Sequence, residues 1–422
     1  MLDIKRIKED PEKVKAGLRA KEVNCDQEVD RILALDKERR DIIFATEQMK
    51  AEQNKVSKTI PQLKKAGEDT APVFQRMGEL KSQIAANDET LRTVEAEYRT
   101  LMLSLPNLPD EDLKPGGKEN NEPLRYFGEP HKFDFPPKHH VDLCTDLGFI
   151  DYTRGVKLAG SGFWMYTGLG ARLEWALLNY FIDTHLADGY EFILPPHMLE
   201  YQCGETAGQF PKFADEVYKI QNPTDDRTHY MLPTAEAALA SIYRDEILAE
   251  ADLPKKFFAY TPCFRREAGS ARAEERGMVR GHQFNKVEMF QFTRPEDSDD
   301  AFDELVKGLG FHFRTVKLAA GDCSASMART YDIEIQIPSM QGYKEVSSVS
   351  NARDYQARRG NIRFRREATG KPEFLHTLNG SGLATSRIFP AMVEQNQLKD
   401  GSVKVPEVLQ KYLGGLEVIS KK

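Results

Sequence analysis

The sequence predicts an α+β protein: an N-terminal antiparallel α-helical coiled-coil arm, then a domain with a largely antiparallel β-sheet flanked by helices. Three observations carry this. Apolar residues between positions 28 and 104 recur at intervals of seven, the spacing of a supercoiled helix pair. Residues 105–137 are dense in proline, glycine and charge and mark a boundary. Beyond them, strand-like runs come in adjacent pairs, with helical patterns before and after. The expected division is therefore 1–104, 105–137 and 138–422.

In the first arm helix, Leu35, Ile42, Met49, Val56 and Leu63 recur every seven residues. The alternate seam positions Arg39, Thr46 and Gln53 are polar, and Pro61 is expected to kink or break the helix near its tip. After "KKAGEDT" the series Val73, Met77, Leu80, Ile84, Asn87, Leu91, Val94, Tyr98 and Leu101 alternates steps of four and three, and only Asn87 is not apolar. The short break implies a hairpin of two antiparallel helices. At about 35 residues, each would be roughly 50 Å long. Residues 31–65 carry nine Lys/Arg against five acids, inside a chain of net charge −7. Two readings are open: a dimerisation coiled coil, whose charged faces are merely solvated, or a basic arm for nucleic acid.

The connector "LPNLPDEDLKPGGKENNEPLRYFGEP" is expected to lack regular structure. A helix fits Gly170–Leu186, with Leu173, Ala176, Leu177, Tyr180 and Phe181 on one side, and "GYEFILPPHM" (189–198) reads as a strand ending at two prolines. A helix fits Thr234–Ala249; strands fit 256–267, 282–293, 331–337 and 342–348; a helix fits 384–397. With 422 residues, 40% hydrophobic and 30% charged, the chain can bury a large core. No apolar run reaches membrane-spanning length, and MLDIKRIKED lacks the apolar core of a signal peptide. Five widely spaced cysteines fit reduced thiols. A cytoplasmic protein with no membrane partner is expected. CxxC and HExxH are absent, so a structural zinc site is not expected. GxxxxGK[ST] and GxGxxG are absent too, so any nucleotide would be bound without the usual phosphate loops.

One hairpin concentrates chemistry: "TPCFRREAGSARAEERGMVRGHQFNKVEMFQF" (261–292). Strand alternation puts Thr261, Cys263, Arg265 and Glu267 on one face, and Phe284, Lys286, Glu288 and Phe290 on one face of its partner. Pairing can gather Arg265, Glu267, Phe284 and Glu288. An arginine fork can hold phosphate, a ring can stack on a base, and carboxylates can accept from an amine or an ammonium group. Arg272, Arg276 and Arg280 in the loop could close over phosphates. Alternatively, the whole is an exposed, ion-paired hairpin. Further on, "YKEVSSVSNARDYQARRGNIRFR" (343–365) ends a strand with Glu345 and Ser348, oxygen ligands suited to Mg²⁺. "HTLNGSGLATSRIF" (376–389) reads as a Gly-Ser-Gly turn before a helix containing Arg387.

With these motifs in place, the chain resembles the seryl-tRNA synthetases, a family of class II aminoacyl-tRNA synthetases, over nearly its whole length. The coiled-coil arm resembles the family's tRNA-binding domain. "GARLEWALLNYFIDTH" with "GYEFILPPHM" is similar to class motif 1, Pro196 standing at the class proline. The 261–292 hairpin is similar to motif 2, "LNGSGLATSRIFPAMVEQNQ" to motif 3, and "LPTAEAAL" (232–239) to the Thr-Ala-Glu signature. The resemblance implies a class II synthetase domain that ligates L-serine to tRNA(Ser) through a seryl-adenylate, with ATP and Mg²⁺, in a homodimer. It leaves open whether tRNA(Sec) is also serylated. It implies that Thr234, Ala235, Glu236, Glu288 and Ser381 line the serine pocket. Arg265 is implied to bind both the serine carboxylate and the α-phosphate. ATP contacts are implied at Arg265, Arg266, Glu267, Phe284, Glu345, Val346, Ser347, Ser348 and Arg387, although alternation turns Arg266 away from the proposed site. Glu345 and Ser348 are implied to hold Mg²⁺, with Arg265 and Arg387 as the catalytic charges. The nearest rivals are another class II synthetase, a paralogue charging a carrier protein, and a coiled-coil scaffold with a dead catalytic domain.

Overall fold

The structure, a computed structural model, describes residues 1–129, 131–222, 224, 227–267, 277–299, 313–340 and 342–421. The chain forms two compact units, one of Leu2–Arg19 with Asn24–Leu105, the other of Met1, Ala20–Val23 and Pro106–Lys422.

The first unit begins with two short helices, α1 (Ile4–Glu9) and α2 (Pro11–Ala20), and Asp3 caps α1 by accepting from the Lys5 N–H. Two long helices follow, α3 (Asp26–Ala66) and α4 (Ala71–Ser104). They run antiparallel, because their contacts descend along one as they ascend the other: Arg31 pairs with Glu97, Arg39 with Glu95 and Glu52 with Arg76. Leu35, Leu80 and Val94 are buried in the seam. Two of the polar exceptions to the heptads meet each other there, with Asn87 Nδ2 donating to Thr46 Oγ1 at 3.1 Å. Helix α3 does not break at Pro61. It runs on to Ala66 and stops at Gly67, whose φ of 72° lets its N–H reach the Leu63 and Lys64 carbonyls. Proline removes only one backbone hydrogen bond, to Ser57, which is not fully buried and can turn its carbonyl to water.

The second unit is built on an eight-stranded sheet. In chain order its strands are β1 (Glu122–Phe127), β2 (Glu191–Ile193), β3 (Lys255–Phe264), β4 (Gln283–Thr293), β5 (Phe313–Lys317), β6 (Arg329–Gln336), β7 (Tyr343–Arg353) and β8 (His376–Ala384). Their spatial order is β1-β5-β6-β7-β8-β4-β3-β2. Neighbours are antiparallel except β2 and β3 at one edge. Its helices include α5 (His140–Asp146), α6 (Gly168–Ala187), α7 (Glu236–Leu239), α8 (Tyr355–Arg359) and α9 (Thr385–Gln395). Leu173, Leu177 and Phe181 of α6 and Ile388 and Phe389 of α9 pack with Phe258, Val287 and Met289 in one core. Phe257, Phe290 and Phe292 alternate to a second core with Leu232, Ala235 and Leu239. Among the described residues no helix is long and apolar enough to cross a membrane.

The expected α+β architecture is the observed one; three further local expectations are corrected. The 105–137 stretch is not wholly irregular: it contributes β1, an edge strand with a bulge between Pro123 and Arg125, where an edge tolerates a missing N–H. The 189–198 strand, β2, does stop before its two prolines, and a separate strand, Met198–Glu200, follows them. Thr234–Ala249 is helical only over α7; Asp245, at φ 64°, donates its N–H to Gly360 O, and Ile247–Ala249 is a strand. "HTLNGSGLA" is strand β8 throughout, so Gly-Ser-Gly is not a turn. Its glycines serve packing: a Cβ on Gly382 would lie 2.3 Å from His185 Nε2.

Candidate active site

The β3–β4 register fixes the first group of site residues. Phe284 lies opposite Cys263, Lys286 opposite Thr261 and Glu288 opposite Ala259. The ladder extends one step beyond the strands, the Arg265 N–H donating to His282 O at 2.9 Å. Arg265 thus falls in phase with Phe284, and its guanidinium carbon sits 5.2 Å from the ring centroid. Its Nε donates to Pro233 O at 3.1 Å, which fixes the fork from behind. Glu267 follows at φ 51°, an uncommon conformation for a residue with a side chain, and its carboxylate meets Arg280 at 3.3 Å. Arg272 and Arg276 lie outside the described residues.

On the other side of β4, Glu288 lies opposite Ser381 of β8. Glu288 is fully buried. Its carboxylate contacts the Lys286 ammonium, accepts from Thr234 Oγ1 at 3.3 Å and accepts from Asn379 Nδ2 at 3.2 Å. Because the Asn379 amide nitrogen faces that carboxylate, its Oδ1 is the buried atom left without a hydrogen-bond partner. Glu236, at the start of α7, accepts from Gln356 Nε2 at 2.7 Å. Burial, reinforced by the charge of Glu288, pushes its carboxyl up to about 7.

A bulge builds the third group. Strand alternation would turn residues three apart to opposite faces. On β7, however, Ser348 pairs with Asp332, Ser347 with Ile333 and Glu345 with Glu334, so Val346 is an extra residue. Glu345 and Ser348 therefore converge, Ser348 Oγ lying 3.1 Å from Glu345 Oε1 and 2.7 Å from Asp332 Oδ1. They sit within β7, not at its end as the sequence suggested. Arg387 Nη1 donates to Glu345 O at 2.6 Å and approaches its carboxylate at 3.3 Å. Burial alone would raise Glu345, but the Arg387 charge and the Ser348 hydrogen bond outweigh it and hold the carboxyl below its usual range. Asp332 is displaced the other way, upward, by burial and by the charge of Glu345.

These groups face a cavity of about 430 Å³, lined by Thr234, Glu236, Arg265, Glu267, Glu288, Glu345, Ser348 and Ser381 among others. A smaller cavity of about 60 Å³ shares Arg265, Glu267, Glu345 and Ser381 and adds Phe284, Val346 and Arg387. Three assigned residues are not brought to either lining. Ala235 is buried behind the wall. Ser347 donates to Ser381 O at 2.6 Å from a buried position. Arg266 reaches away to Asp215 O at 2.8 Å, as alternation requires. Lys286 and Asn379 in the lining, and Asp332 beside it, are among those that received no role from the sequence. The usable signal was charge at inward positions of otherwise apolar strands, as in "TYDIEI" and "FNKVEMF".

Comparison with known proteins follows the same lines. Residues 1–109 match the seryl-tRNA synthetase N-terminal domain, and residues 218–396 match the class II tRNA synthetase core domain (G, H, P, S and T). A serine–tRNA ligase 2 of Clostridium acetobutylicum is 57% identical over 98% of this chain and 99% of its own length. The chain belongs to the seryl-tRNA synthetase family. A serine–tRNA ligase of Chlorobaculum parvum is 45% identical over 98% of this chain and 99% of that protein. Among solved structures, the seryl-tRNA synthetase from Pyrococcus horikoshii complexed with ATP superposes with a TM-score of 0.91 at 33% identity, covering all of both chains. The cytoplasmic enzyme of Naegleria fowleri in complex with AMP gives 0.88 at 26%, covering 100% of this chain and 99% of that one.

Proposed function

We propose that this protein ligates L-serine to tRNA(Ser) in two steps, using ATP. A serine carboxylate oxygen attacks the α-phosphorus, the bond to the bridging oxygen breaks, and pyrophosphate leaves. A terminal ribose hydroxyl of the tRNA then attacks the seryl carbonyl, and AMP leaves. The observation that carries this is the shared wall of the two cavities, where Arg265 borders both the Thr234–Glu236–Glu288 group and the Phe284–Arg387 group. Serine and the α-phosphate can therefore be held against one guanidinium. No side chain is needed as a general base; positioning and the charges of Arg265 and Arg387 supply the catalysis. Glu288 takes the substrate ammonium, and the unpaired Asn379 Oδ1 offers the serine hydroxyl an acceptor. Glu267 and Phe284 take the adenine.

Glu345 and Ser348, with Asp332 beside them, form an all-oxygen donor set that suits Mg²⁺. Bound there with ATP, the ion would neutralise charge on the phosphates. The excess of Lys/Arg over residues 31–65 of α3 supports an arm that lies along tRNA. A homodimer through the Gly170–Met198 segment is supported by the exposed apolar side chains of Trp175, Leu186, Leu194 and Met198. Five free cysteines support a reducing, cytoplasmic setting. Serine-dependent ATP–pyrophosphate exchange followed by tRNA charging tests the reading. Exchange driven better by threonine or proline, or no exchange at all, overturns it.

A further inference from the structure

Lys286 has no part in the reading above, yet it lies inside the site. Its side chain is buried on β4, and its ammonium contacts the Glu288 carboxylate and, at 2.7 Å, Thr234 Oγ1. Those are the groups assigned to the substrate's own ammonium end. Glu288 is fully buried, with a second carboxyl group, Glu236, close enough to feel its charge. A buried carboxylate without a cation is strongly disfavoured. Lys286 is a cation that the chain itself provides.

We infer that Lys286 is a resident substitute for the substrate ammonium, exchanged when serine binds. The α-ammonium of serine takes Glu288 and Thr234, and the released lysine pairs with the carboxylate that arrives with it. Lys286 borders both cavities, and the smaller also holds Arg265 and Arg387, so the lysine's new position is on the phosphate side. Charge is conserved at each point: one cation leaves Glu288 as another arrives, and one carboxylate arrives for the cation released. A zwitterion meets both demands. An amine without a carboxylate meets only the first and leaves Lys286 buried and unpaired. The exchange therefore selects α-amino acids against simple amines, a discrimination that Glu288 alone does not provide. This inference rests on the assignment of Glu288 to the ammonium.

The test compares the full-length parent with Lys286→Met and the near-isosteric Lys286→Gln, each checked for native circular dichroism. Two probes share an ammonium and a hydroxyl: serine, and serinol (2-amino-1,3-propanediol), which lacks the carboxylate. In pyrophosphate exchange, kcat/KM for serine should fall about tenfold or more in the variants, while serinol should inhibit about tenfold more strongly than in the parent. A lysine that only supports the fold would weaken both ligands together. That result, or any pattern other than opposite shifts in both folded variants, overturns the proposal. Glu288→Gln, measured alongside, weakens both probes if Glu288 holds the ammonium. If it leaves both unchanged, the underlying assignment fails whatever the Lys286 variants show.

Discussion

Arg265 is fixed from two directions, by the Pro233 carbonyl at its Nε and by the Phe284 ring beneath its guanidinium. Its terminal nitrogens are thereby presented to the cavity with little freedom left to lose on binding. Arg265→Ala should cut pyrophosphate exchange by about 10²–10³, with an unchanged melting temperature. A residual rate within about threefold of the parent would mean that the charge lies elsewhere. Glu236 gives a pH-dependent prediction. Its carboxyl titrates near 7 in the folded chain against 4.5 when unperturbed, so within that window the folded state holds a proton that the unfolded state has lost. Stability from this group therefore falls as pH rises. Glu236→Gln has no such proton to lose. Its melting temperature should approach the parent's near the acid end and exceed it at about pH 8, by the equivalent of roughly 3 kcal/mol at most. A gap that stays constant across the range would place the shift on another group. Alternation alone made the Arg265–Phe284 pairing and the outward turn of Arg266 legible. Asn379 was not legible, because its role depends on which strand lies beside which, and it lies 91 residues downstream of Glu288.

At the level of elements, the long helices and strands were readable because their periodicity extends over many residues. What was missed is short or depends on neighbours. Gly380 and Gly382 looked like turn residues, since glycine's usual reason for being in a sequence is backbone freedom. Here Gly382 sits in a strand because His185 of α6 leaves no room for a methyl group. Gly382→Ala should therefore cost about 1–3 kcal/mol, seen as a lower urea midpoint. An unshifted midpoint would show that His185 moves aside freely. The bulge at Val346 was equally invisible: nothing in "YKEVSSVS" marks which residue is the extra one. It brings Glu345 and Ser348 to one side. In a perfectly regular ladder, Glu345 would share a face with Ser347 instead.

For the molecule as a whole, the division into two compact units predicts separable activities. Replacing residues 31–98 by a Gly/Ser linker leaves every residue assigned to ATP and serine in place. Exchange should survive and tRNA charging should fall steeply. Loss of both together, with a monomer on sedimentation, would instead make the arm a dimerisation device. Helix α3, at 41 residues, would be roughly 60 Å long. A rod of that length acts as a gauge, and a gauge must be calibrated. Two mostly leucine-like seams could slide past each other by a heptad, which would displace one helix by about 10 Å. The Asn87–Thr46 contact is the mark against which the two rails are set. A slip of one heptad would break that contact and set the buried Thr46 hydroxyl against Leu80 or Val94. The weakest-looking positions in the heptad pattern are thus what keeps the gauge true.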